Sequence, residues 1–217
     1  MDPKDTYTLY GTKGSGSAAV EMALEVAGLP YRIVRASSWE ADSATQELAQ
    51  VNPLKQIPTL ALPGGGVMTE SAAILLYLGL DVAPRGKLLP ADAAGRAQAA
   101  RALVFIAANC YSAISIIDYP QRWTTATDEA SLDAIRKGTR AQLHRHWEIF
   151  ADTFAREPFL NGDAPGALDF LAAVVSRWAG SRAHLREHRP AFYGTLMRIE
   201  SHPPVAAVFD RHWERKA

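Results

Sequence analysis

Apolar positions come in short bursts over the first eighty residues and in long runs of helical period after that. Tyr7-Thr8-Leu9-Tyr10 reads as a first strand, and Gly11 to Gly14 as a loop. From Ser15 or Ser17 to Ala27 the period is helical, with Val20, Ala23, Leu24 and Ala27 on one face. Gly28 ends that helix, as glycine commonly does. Tyr31 to Val34 is a second strand, and a β-α-β unit of this length implies a parallel pair with a right-handed crossover. A polar loop through Trp39 leads to a short helix over 44–51. Two apolar strands, Thr59 to Leu62 and Val67-Met68, flank the turn Pro63-Gly64-Gly65-Gly66, and a helix follows at once.

From residue 92 the chain becomes alanine-rich and poor in strand signals, with helical runs near 92–118, 130–155, 168–180, 189–200 and 204–214. Residues 81–91 carry two prolines and a glycine and read as a linker. The pattern predicts an α/β domain over 1–80 and an all-helical bundle over 92–217.

Composition narrows the partners. The 23 acidic and 23 basic residues cancel, which gives no electrostatic reason to expect nucleic acid or an anionic membrane. Cys110 is the single cysteine, so no internal disulfide can form. No basic-then-apolar leader opens the sequence, and no uninterrupted run of about 18 apolar residues is expected to span a membrane. A cytoplasmic protein is the expectation.

The stretch from Asn52 to Gly79 carries the chemistry. Pro58 precedes a strand that should lie inside a sheet, although proline has no N–H for a ladder. A cis Ile57-Pro58 bond would resolve this and bare the main chain of Ile57 to an extended ligand, which could pair as an added strand. Glu70-Ser71 opens the next helix, whose free N–H groups and partial positive charge suit a carboxylate, while Glu70 suits an ammonium. The plainer alternative is that Glu70 and Ser71 only cap the helix.

Together, Asn52-Pro53-Leu54-Lys55-Gln56-Ile57-Pro58 and Glu70-Ser71 resemble the signature of the cytosolic glutathione transferase superfamily. The nearest likeness is to bacterial, beta-class-like members. Lys55 stands where the family usually has glycine. The resemblance implies a thioredoxin-like domain ordered β-α-β-α-β-β-α, a helical C-terminal domain and a homodimer. It also implies glutathione as co-substrate, attacking a small hydrophobic electrophile as thiolate. Gln56, Ile57, Pro58, Glu70 and Ser71 would then hold glutathione.

The beta-class cysteine would fall on Gly16, so it is absent here. A thiol titrates near about 8.5, and a hydroxyl at the mouth of the first helix would favour its charged form. Ser17 is the preferred candidate, with Ser15 close behind, and capping is the competing role for both. Tyr10, Asn109, Tyr111 and Trp123 are candidates for the electrophile pocket. Phe159 to Asp169 resembles a second family signature, in which Asp169 caps a buried helix and Gly166 replaces the usual Ser or Thr. That assigns Asp169 to folding.

Other readings are weaker. Gly11 to Ser17 has the wrong glycine order for a nucleotide loop. His184-Leu185-Arg186-Glu187-His188 matches an inverted zinc-protease pattern but lacks a third ligand, and His144 and His146 point apart on a helix. No metal is expected. Cys110 reads as a packing residue. The alternatives to a transferase are a glutathione-dependent peroxidase, reductase or isomerase, and a non-catalytic glutathione-binding protein.

Overall fold

The computed structural model describes residues 5–213. The first domain contains β1 (Tyr7–Gly11), α1 (Ser17–Ala27), β2 (Tyr31–Arg35), α2 (Thr45–Val51), β3 (Thr59–Ala61), β4 (Val67–Thr69) and α3 (Ser71–Tyr77). Its sheet runs β2-β1-β3-β4. β1 and β2 are parallel with Leu9 opposite Ile33, and β3 is antiparallel to both β1 and β4. This is the expected thioredoxin-like order. The helix after Glu70 runs further than expected, through a π-helical turn at Leu78–Val82, into what the sequence marks as linker.

The second domain is helical. α4 (Ala93–Phe105), a π-helical turn (Ile106–Tyr111) and α5 (Ser112–Asp118) form one continuous run. α6 (Glu129–Phe154), α7 (Ala167–Val175), α8 (Ser181–His188), α9 (Pro190–Ser201) and α10 (Pro203–His212) follow. The expected helix over 168–180 is shorter than its periodicity suggests. It stops at Val175, and Gly180, at φ 79°, restarts the chain as α8. The run Ala93–Asp118 has the length and mean hydropathy, 1.6, of a membrane span. Here Leu103, Ile106, Ile114 and Ile117 are instead packed into the protein core.

One apolar core extends through both domains. Helix α1 explains how. Every residue from Ser17 to Leu24 is buried, because the sheet covers one side while α7 and α10 cover the other. A surface helix would bury only a stripe. Glu21 pays for its burial with partners: Arg211 Nε donates to it at 2.8 Å, and His212 Nε2 lies 2.6 Å away.

Asp169 has the structural role expected of it. Fully buried, it accepts N–H bonds from Leu160, Asn161 and Gly166 at 2.8, 3.0 and 3.0 Å. Burial pushes its carboxyl up to about 7 against the pull of these three donors. Gly166 replaces Ser or Thr for a steric reason: a Cβ there would lie 2.5 Å from the Leu88 carbonyl oxygen.

Candidate functional site

A cleft of about 690 Å³ opens between the two domains. Three pieces of the first domain form one wall: the loop Gly14-Ser15-Gly16, the segment Lys55 to Pro58, and Thr69 to Ala72 at the mouth of α3. The facing wall comes from the α4–α5 run and from Trp178-Ala179, beyond α7.

The 55–58 segment is set by a side-chain turn. Asn52 is buried, and its Nδ2 donates to the Gln56 carbonyl and to Thr59 Oγ1, each at 3.0 Å. Its Oδ1 accepts the Leu54 N–H at 3.1 Å. Within this turn Lys55 adopts φ 53°, a left-handed conformation that glycine reaches at less cost. That is a physical reason for glycine at this position in the resembling sequences. The Ile57-Pro58 bond is cis. Among the described residues, the Ile57 N–H and C=O have no hydrogen-bond partner. The main chain of Ile57 therefore faces the cleft with both groups free.

The mouth of α3 completes this wall. Glu70 is the N-cap residue, at φ 64°, and makes no side-chain cap bond. Ser71 is buried, yet its hydroxyl has no partner among the described residues. The plainer reading of this pair as a cap lacks the bonds it needs. What lies at the cleft is a carboxylate, a free hydroxyl and the unpaired N–H groups of a helix start.

The two serines separate. Ser15 is on the cleft wall and Ser17 is not. Ser17 turns inward, 2% exposed, with its hydroxyl 3.2 Å from the Thr12 carbonyl and 2.8 Å from Ser15 Oγ. The first turn of α1 points Ser17, the preferred candidate, towards the end of β1, and Ser15 is the one of the two that lines the cleft. Ser15 Oγ donates to the Thr12 carbonyl at 2.8 Å.

Among the pocket candidates only Tyr111 lines the cleft. Tyr10 lies on the opposite face of the sheet, where its hydroxyl donates to Glu47 at 2.8 Å. Asn109 turns to a shallow depression against α6 and donates to the Phe105 carbonyl at 3.1 Å. Trp123 is exposed just past the rim, whereas its neighbour Arg122 is on the wall. The sequence reading missed Ser115, Asp118, Arg122 and Trp178. Ser115 and Asp118 had a signal: with Ala107 and Tyr111 they recur at helical spacing on one face of the α4–α5 run, whereas Arg122 lies just past its end. Trp178 follows the end of α7 and had none.

Cys110 is fully buried, and burial pushes its thiol up to about 12, so it is a packing residue. His184 stacks between His144 and His188, with centroids 4.4 and 4.1 Å away. His184 Nε2 lies 2.8 Å from Glu148. Among the described residues no three His, Cys, Asp or Glu side chains converge on a point that could hold a metal.

Comparison with known proteins adds the lineage. Residues 17–80 match the family model described as glutathione S-transferase, N-terminal domain. An Escherichia coli K12 protein described as an uncharacterized GST-like protein is 39% identical over 175 residues, covering 78% of this chain and 80% of that protein. The glutathione S-transferase GstA of Escherichia coli O157:H7 is 23% identical over 208 residues, covering 95% and 92%. A solved glutathione transferase homologue from Sulfitobacter, with bound glutathione, superposes with a TM-score of 0.80 at 26% identity, covering 95% of this chain and 98% of that one.

Proposed function

The chain belongs to the glutathione S-transferase family, and from that membership we propose that it binds glutathione as thiolate and conjugates it to a small hydrophobic electrophile. One observation carries the reading: the free Ile57 main chain, the unpaired Ser71 hydroxyl and the Glu70 carboxylate share one cleft wall. A γ-glutamyl tripeptide offers the matching groups. Its cysteinyl amide pairs with Ile57 as an added strand beside Gln56 and Pro58. Its α-carboxylate sits on Ser71 and the start of α3, and its ammonium meets Glu70. The Sulfitobacter relative, solved with glutathione, supports the same occupant.

The sulfur then falls near the loop 14–16 and the start of α1, with Ser15 on the wall and Ser17 behind it. The helix start favours a thiolate over a thiol. The electrophile enters from the α4–α5 side, past Tyr111 and Arg122. We place the protein in the cytoplasm as a homodimer, with glutathione and the electrophile as its ligands and without nucleic acid or membrane partners.

Calorimetric titration with glutathione, followed by conjugation of a chloronitrobenzene, tests the reading. Saturable binding and turnover are expected. Ser71→Ala should weaken glutathione by about tenfold, the loss of one hydrogen bond to a charged group. Absence of glutathione binding by the wild type overturns the reading. Binding without conjugation overturns the transferase and favours the peroxidase, reductase or isomerase activities, or a non-catalytic binder.

A further inference from the structure

A side chain at position 16 would stand at the mouth of α1, on the cleft wall, and this chain has glycine there. The space is filled from the other domain. A Cβ on Gly16 would fall 2.0 Å from Tyr111 Oη and 2.9 Å from its Cζ. The phenol thus occupies the seat that any residue larger than glycine would take, and Gly16 is what lets it in.

Tyr111 ends the π-helical turn Ile106–Tyr111, and its ring lies tilted against Trp178 with centroids 5.4 Å apart. Its hydroxyl sits at the start of α1. The Gly16 N–H approaches it from α1, and the Glu70 charge acts on it from α3. Among the described residues the phenol proton has no acceptor. Ser15 differs, because its proton is already given to the Thr12 carbonyl at 2.8 Å. Burial, helped by Glu70, holds the phenol up at about 12, so at neutral pH it is a hydrogen-bond donor and not a phenolate.

We propose that the Tyr111 hydroxyl, delivered by the helical domain through the gap left by Gly16, is the group that hydrogen-bonds the glutathione sulfur and holds it as thiolate. The assignment rests on the glutathione reading above. The thiol gives its proton to water. The phenol keeps its own and donates it as a hydrogen bond to the sulfur anion, a charge-assisted bond about twice as strong as a neutral one. Electrophile and donor then sit on the same α4–α5 face.

Tyr111→Phe removes one oxygen and keeps the ring. Three readouts on the full chain separate the outcomes: glutathione Kd by calorimetry, the pH titration of bound thiolate by its ultraviolet absorbance, and kcat/KM for a chloronitrobenzene. The expected result is a Kd within about threefold of wild type and a thiolate midpoint raised by about one pH unit or more. kcat/KM should fall about 10- to 100-fold. Gly16→Ala should raise the midpoint likewise, since its methyl evicts the phenol, and the double variant should be no worse than the worse single one. Matching melting curves for wild type and Tyr111→Phe exclude a folding defect. A Phe variant that binds glutathione with an unmoved midpoint overturns the proposal alone, and Ser15→Ala would then carry the shift. A wild type that binds no glutathione overturns the underlying reading, and this assignment with it.

Discussion

Lys55, Glu70 and Ala179 are, among the described residues, the non-glycines with left-handed backbone, and all three line the interdomain cleft. Such conformations cost about 1 kcal/mol or more each and persist where the surroundings over-determine them. Their gathering at one site is an argument for function there. Lys55→Gly should relieve its strain and stabilise the fold by roughly 0.5 kcal/mol, after glycine's own entropic cost. Urea unfolding should show a higher midpoint with an unchanged slope. Glu70→Gly should stabilise similarly yet weaken glutathione, because it deletes the proposed ammonium partner; parallel titration checks the opposed signs. At this scale the sequence was partly legible. The Asn52 to Pro58 and Glu70-Ser71 spacings picked out residues that share one cleft wall, since both depend on local backbone. Which of Ser15 and Ser17 lines the cleft was not legible, because it turns on which side of the first helical turn faces β1, two residues apart.

Elements follow the same division between local and tertiary causes. The strands and α1 were readable from burst length and glycine punctuation. The end of α7 was hidden, because its last residues Val174 and Val175 are fully buried and Trp178 and Ala179 continue the apolar pattern past the point where the helix stops. The burial of α1 on both sides was hidden too, since the partners that cover it, α7 and α10, lie more than 130 residues further along the chain. What fixes the start of α7 is Asp169. Asp169→Ala would strand the backbone N–H groups of Leu160, Asn161 and Gly166, the first and last of them buried, at about 1 kcal/mol or more apiece. The expected loss is about 3 kcal/mol, seen as a drop of several degrees in Tm by circular dichroism. The variant should keep its glutathione affinity at low temperature, because no part of the cap touches the cleft.

At the scale of the whole molecule, the two domains are tied by the chain's last described helix. His212 accepts the Gly14 N–H on Nδ1 at 3.2 Å, which leaves Nε2 to donate to Glu21. Arg211 adds a second cation to the same buried carboxylate. The cleft loop, α1 and α10 therefore share one electrostatic knot. Burial works against the Glu21 charge, but His212 and Arg211 outweigh it and hold the carboxyl below its ordinary range. A carboxyl depressed in the folded state adds stability above its unfolded pKa and loses it as pH falls through the folded value. Glu21→Gln should thus be less stable than wild type near neutral pH, by about 3 kcal/mol for a broken buried pair. The gap should narrow as pH falls below the ordinary carboxylate range, where the wild-type carboxyl also takes up a proton. Denaturant unfolding of both proteins from pH 7 to 3.5 checks the sign; a gap that widens in acid would show that the knot stabilises by shape alone. Because Gly14 lines the cleft and hangs from His212, glutathione affinity should fall along the same acid limb, coupling the grip on the ligand to the seam between the domains.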